Sequence, residues 1–337
     1  MSISPPVDIT ALLAGRKQAV AYALNLLEDR RPEVASQVQR LAAWLSQNAR
    51  PGRHVIGITG PPGVGKSSMI SRLVEYFRKH QKTIGIISID PSSPKSGGAL
   101  LGDRIRIRHR PDDDGVFIRS LAAGGHLGGL SANIGHLLLL LEAVYDITIL
   151  ETVGVGQSET DIAHAVDTVI SVIHPGSGDM LQFMKSGIME IPHILVINKA
   201  DCGEAAARSF YDLKNAMIYM ATDKDDWQPI VILTSASQNK GFDTLATALD
   251  QHLSWLTAHD IAKRRRWQLW QSLLAFFKAE YGRFGSRLLG GERQILKILE
   301  QSDASTPDEG MRCLYDQVTA AMRRKMNMVE DKHIGDS

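Results

Sequence analysis

The run Gly60-Pro61-Pro62-Gly63-Val64-Gly65-Lys66-Ser67 has the spacing G-x-x-x-x-G-K-[ST]. Its chemistry is phosphate binding. Glycines let backbone N–H groups converge on phosphate oxygens, and a helix opening just after them contributes the positive end of its dipole. In this pattern Lys66 reaches the β- and γ-phosphates and the Ser67 hydroxyl ligates Mg²⁺, with Ser68 completing the loop. Asp90, in "SIDPSS", ends the next apolar run. A carboxylate there, at the carboxyl end of a neighbouring strand, can hold Mg²⁺ through water or position an attacking water.

Glu151 ends a third apolar run, "ITILE", where a Walker B carboxylate would sit. Glu151-x-x-Gly154 is similar to the D-x-x-G switch of GTPases with Glu in place of Asp, and Gly154 and Gly156 leave a backbone able to move. Downstream, Asn198-Lys199-Ala200-Asp201 has the N-K-x-D arrangement that selects guanine. The Asp201 carboxylate can accept from guanine N1–H and the 2-amino group, donors that adenine lacks at those positions, so the wrong base would leave it unpaired. Ser235 and Ala236, with Ser237 after them, follow a later apolar run, where a Ser-Ala pair supports the base through backbone N–H groups. The nucleotide is read as GTP, exchanged with GDP.

These residues need a frame that brings strand ends together. Between Gly52 and Thr257, β-rich runs alternate with helical segments: "HVIGITG", "TIGIISID", "ITILETVG", "TVISVIHPG", "HILVINKAD" and "PIVILTSA". Most are apolar at consecutive positions, as in strands buried on both faces. The fold class expected is α/β, a P-loop NTPase with a mostly parallel sheet covered by helices. Helical periodicity on either side divides the chain into an N-terminal helical extension (1–51), the nucleotide domain (52–257) and a C-terminal helical arm (258–337). Thr10 is the expected first N-cap.

Composition narrows the class. Of 337 residues, 44% are hydrophobic and 22% charged, and a net charge of +1 argues against a nucleic-acid binder. Cys202 and Cys313 offer neither a disulfide framework nor a Cys-x-x-Cys metal site. The apolar run at 137–144 is far shorter than the ~20 residues of a spanning helix. With no secretory pattern at the start, the expectation is a cytoplasmic protein with no membrane partner. The basic run "AKRRRW" (262–267) is expected to be the solvated face of a helix.

With these motifs the chain resembles the MeaB/ArgK/MMAA family of P-loop GTPases, chaperones of adenosylcobalamin-dependent acyl-CoA mutases. "GITGPPGVGKS", "DPSSPKSGGALLGD", "FIRSLAAGGHLGG", "ETVGVGQSE", "PGSGDMLQFMKSGIMEI" and "VINKAD" occur in the family's order, from about Ala11 to Thr257. The resemblance implies that Ser67, Asp90, Asp103 and Glu151 lie near Mg²⁺ and the γ-phosphate. It implies switches at 90–108 and 151–161, and a third at 175–187 carrying Lys185, through which a mutase stimulates hydrolysis. It also implies a homodimer formed by the C-terminal arm, and a mutase partner contacted at its cobalamin-binding domain or subunit. "DRIRIRHR" and "MKSG" depart from the family's commoner patterns, leaving open whether the client is a methylmalonyl-CoA mutase or an isobutyryl- or hydroxyisobutyryl-type relative. Cys-Pro-His and polyhistidine metal sites of the related nickel-delivery GTPases do not occur, and no bound zinc or nickel is expected. Two rival readings share the loop: a kinase or phosphotransferase, for which no acceptor motif is visible, and a GTP-binding interaction module without turnover.

Overall fold

Strands apolar on both faces need cover on both faces, and that requirement shapes the molecule. The computed structural model describes residues 6–29, 31–48, 52–90, 107–110, 112–122, 133–152, 162–176, 191–219, 226–302, 304 and 306–334. Seven strands form one sheet: β1 (His54–Thr59), β2 (Ile84–Asp90), β3 (Val116–Ala122), β4 (Ile147–Glu151), β5 (Thr168–Ile173), β6 (Ile194–Ile197) and β7 (Ile230–Leu233). Their order is β3-β2-β4-β1-β5-β6-β7, and every neighbouring pair is parallel. Every residue of β1, β4, β5 and β6 is buried. Parallel register puts the carboxyl ends of β1, β2, β4 and β6 along one edge, where α/β sheets bind ligands.

Six strands fall in the apolar runs read from the sequence; β3 does not. Arg119 and Ser120 interrupt its apolar pattern, which an edge strand tolerates. Arg119 turns to α2 (Lys17–Glu28), donating to Asn25 at 2.9 Å and Glu28 at 2.5 Å.

Helix α4 (Lys66–Lys79) and helix α7 (Phe242–Ala258) cover one face. Met69, Ile70, Leu73, Leu245 and Leu249 join Ile56, Ile58, Ile86 and Ile149 of the sheet in one core. On the other face lie α1 (Ile9–Leu13), α2, α3 (Ala35–Gln47) and α5 (Asn133–Val144). Leu24, Leu41, Leu45, Leu137 and Leu141 pack there with Ile87, Tyr145 and Leu150, so the N-terminal helices share the sheet's core. Helix α6 (Glu204–Tyr219) packs outside β6 and β7. The tail, α8 (Ile261–Leu288), α9 (Glu292–Ser302) and α10 (Pro307–Ile334), has its own core around Leu273, Phe277, Ile295, Leu299 and Leu314. Truncating such a fully buried leucine costs about 2–5 kcal/mol.

Two local expectations are corrected. The first N-cap is Asp8, not Thr10: its carboxylate accepts the Ala11 N–H at 3.0 Å, and a negative charge also suits the helix's positive end. The basic run is only partly a solvated face. Lys263 and Arg266 are exposed, but Arg265 turns inward to the sheet. It makes two bonds to Asp167, at 2.6 and 2.8 Å, and pairs with Glu142 at 2.9 Å. Beside it on α8, Gln268 donates to the carbonyls of Ala163 and Val166, both at 2.8 Å. The reason is burial of opposite charge: Asp167 sits just before β5 with its side chain almost wholly enclosed, and needs a cation.

Candidate functional site

At the carboxyl end of β1 the chain makes the loop that opens α4. Gly60 has φ of 141°, and a Cβ there would stand 2.3 Å from the Val172 carbonyl oxygen. Gly65 has φ of 95° and caps α4 without a side chain; a Cβ would stand 2.5 Å from Asn198 Nδ2. Both positions therefore demand glycine. Lys66, nearly buried, folds its ammonium back over the loop, donating to the Gly60 carbonyl at 2.6 Å and the Pro61 carbonyl at 3.2 Å. Pro61, Pro62, Gly63 and Ser68 are exposed along the rim, and Val64 is buried beneath it.

On the neighbouring strand β4, in register with Ile58 of β1, Glu151 is buried, with 5% of its surface exposed. Ser67 Oγ donates to its Oε1 at 3.1 Å, and Ser88 Oγ donates to its Oε2 at 2.6 Å. The hydroxyls of Thr59 and Thr152, buried at the same edge, have no hydrogen-bond partner among the described residues. Hydroxyl and carboxylate oxygens of this kind are hard donors suited to Mg²⁺, and the phosphates of a nucleotide would supply the rest. β2 ends at Asp90 beside this pair, with its backbone in register with Ala122.

The base-reading motif meets the same loop. Asn198 Nδ2 donates to the Val64 carbonyl at 3.0 Å, and its Oδ1 accepts from Thr234 Oγ1 at 3.2 Å. Lys199, in a left-handed conformation with φ of 60°, donates to the Gly63 carbonyl at 3.0 Å. The Asp201 carboxylate is exposed and accepts from Ser235 Oγ at 2.5 Å, and Ser237 Oγ lies 2.9 Å from Ser235 Oγ. The Ser235 hydrogen bond chiefly holds the Asp201 carboxyl below the usual carboxylate range. From α4, Arg72 Nε donates to the Ala236 carbonyl at 2.8 Å, tying the phosphate helix to the base loop.

Of the residues singled out from sequence, the loop, Glu151, the 198–201 motif and the 235–237 segment thus come to one edge. Asp103 and Lys185 lie outside the described residues, as do 91–106, 153–161 and 177–187 of the expected switches. Ser88 and Arg72 were not singled out. Ser88 had a signal: it is a lone hydroxyl in the apolar run "IGIISI". Arg72 had none, since a helical arginine reads as solvent-facing.

A parallel sheet with a glycine-rich phosphate loop after β1 and an N-K-x-D motif after β6 defines a P-loop GTPase. The model of the family described as methylmalonyl Co-A mutase-associated GTPase MeaB matches residues 20–280, and the chain belongs to that family. The GTPase ArgK of Escherichia coli is 38% identical over 257 residues, covering 74% of this chain and 76% of that protein. The methylmalonic aciduria type A homolog, mitochondrial, of Caenorhabditis briggsae is 34% identical over 275 residues, covering 77% and 66%. Among solved structures, a LAO/AO transport system kinase superposes with a TM-score of 0.64 at 28% identity, over 92% of this chain and 96% of that one. Among the described residues no helix is long and apolar enough to cross a membrane.

Proposed function

We propose that this GTPase is a chaperone that gates loading and protection of adenosylcobalamin on a cobalamin-dependent acyl-CoA mutase, working in the cytoplasm as a homodimer joined through its C-terminal helices. The observation that carries the catalytic half is the Ser67–Glu151 hydrogen bond, which couples the phosphate loop to the strand leading into residues 153–161. Ser67, Asp90, Asp103 and Glu151 are the residues that would hold Mg²⁺, which would neutralise charge developing on the phosphates. Lys66 exchanges its carbonyl partners for phosphate oxygens. Asp201 reads guanine, and Asn198 and Lys199 hold the base loop against the phosphate loop. Lys185 is the candidate for a group that a partner brings to the γ-phosphate.

The mutase assignment draws on the family's description and on the aciduria homolog's name. Its test is association measured by calorimetry between this protein and the mutase, with GTP-analogue, GDP or no nucleotide. The reading expects affinities differing at least several-fold between nucleotide states. Equal affinities, or no binding, would contradict it. The kinase reading keeps one point of support, the name of the solved structure above. ATP consumption with phosphoryl transfer to a small acceptor would favour it.

A further inference from the structure

We infer that Ser88 is a positioning residue that fixes the Glu151 carboxylate for the cation, a reading that rests on the placement of Mg²⁺ beside Ser67 and Glu151 proposed above. Strands β2 and β4 are parallel with Ser88 directly opposite Glu151, so both side chains leave the sheet on the same face. That face is the one covered by α4, because Ile84 and Ile86 precede Ser88 at alternate positions in the same core as Met69 and Leu73. Ser88 is 1% exposed and its hydroxyl donates to Glu151 Oε2 at 2.6 Å, a short bond as expected for a donor to a carboxylate. The other oxygen, Oε1, accepts from Ser67 at 3.1 Å. The two hydroxyls therefore hold the carboxylate from both sides and set its plane.

The need for a second anchor follows from the residue type. Glutamate has one more side-chain torsion than the aspartate usual at this place in D-x-x-G proteins, and each free torsion adds orientations that must be lost when a cation binds. Ser67 anchors only Oε1, and a single hydrogen bond to one oxygen does not by itself set the plane of the carboxylate. Ser88 comes from a different strand than the phosphate loop, and its hydroxyl can hold Oε2 while Ser67 turns to a cation. Next in the row, Ser120 of β3 is in register with Ser88, and its buried hydroxyl has no partner among the described residues. It provides a matched control.

The test compares Ser88→Ala, Ser88→Thr and Ser120→Ala with the parent protein. It measures the Mg²⁺ concentration that half-maximally slows release of a fluorescent GDP, and GDP affinity in EDTA. Removing a group that orients a metal ligand typically weakens the metal about tenfold or more. The expected result is a roughly tenfold higher half-saturating Mg²⁺ for Ser88→Ala, GDP affinity in EDTA within twofold of the parent, substantial recovery in Ser88→Thr, and no shift in Ser120→Ala. A merely structural role would instead lower GDP affinity with and without Mg²⁺. Ser88→Cys, close in shape with a weak donor, carries the same test should the alanine variant fold poorly. A parent protein sensitive to Mg²⁺ with Ser88→Ala unchanged would overturn the inference alone. A parent protein whose GDP release ignores Mg²⁺ would overturn the cation reading and the inference together.

Discussion

The two edges of the sheet carry similar residue types and use them differently. At the carboxyl edge, Lys66, Glu151, Asn198 and Asp201 lie on or beside loops, and their partners are loop carbonyls and hydroxyls that a nucleotide can replace. At the amino edge, charged and imidazole groups are spent on one another. Arg265 of α8 holds Asp167 and Glu142. Asp146 accepts from Arg53, from the Thr83 N–H and from the Thr83 hydroxyl. His54 Nε2 lies 2.6 Å from Thr168 Oγ1, which lies 2.6 Å from His252 Nδ1. A buried charge in a parallel sheet is thus no sign of a site in itself. What distinguishes the site is that its donors and acceptors sit where the backbone leaves the strands and can re-pair.

The contrast breaks first at the amino edge. Arg265→Ala leaves Asp167 and Glu142 buried without their cation, and a loss of about 3–5 kcal/mol in unfolding free energy is expected by urea titration. GTP affinity, which the proposed site would set at the other edge, should stay within a few-fold. Burial pushes the Glu142 carboxyl up, with Arg265 opposing that shift. A variant that kept its stability but lost GTP would reverse the two roles.

At the carboxyl edge the expected effect is smaller in energy but specific. Asp201→Asn replaces an acceptor pair with one acceptor and one donor, and should weaken GTP binding about 100-fold. Thermal stability should hardly change, because the Asp201 carboxylate is exposed. Equal affinity of parent and variant for GTP would remove Asp201 from base recognition.

The third effect is one of pH. Burial lowers His54 to about 4, with Asp167 opposing and Arg265 adding to the shift, and burial lowers His193 and His252 as well. An unfolded histidine titrates near ~6.5. Between about 4 and 6.5 the unfolded chain therefore binds more protons than the folded one, and stability rises with pH. The contribution is complete above about 6.5 and is lost as pH falls, at up to ~1.4 kcal/mol per pH unit for each histidine. Unfolding free energies at pH 7, 6 and 5 should show that slope, and His54→Gln should make it shallower. A slope unchanged in His54→Gln would show that this ring does not take part.

Much of this was legible in the sequence because the chemistry is local in the chain. A phosphate loop needs its glycines, lysine and serine within eight residues, and guanine reading needs its motif within four. The apolar runs gave six strands because strands buried on both faces cannot disguise themselves with polar residues. What stayed hidden depends on register across strands. Ser88 meets Glu151 over 63 positions of sequence, and Arg265 meets Asp167 over 98. Neither pairing has a signal in its own neighbourhood, and "AKRRRW" looks the same whether it faces water or an aspartate. β3 was missed for a related reason: its Arg119 belongs to α2's surface, not to the strand's own pattern.

The most direct measurement is steady-state GTP turnover by the purified protein, with ATP as control, with and without a cobalamin-dependent acyl-CoA mutase. The account predicts slow Mg²⁺-dependent hydrolysis of GTP, little of ATP, and a marked increase in rate with the mutase. Hydrolysis that prefers ATP, or a GTP rate indifferent to every such mutase tried, would contradict it.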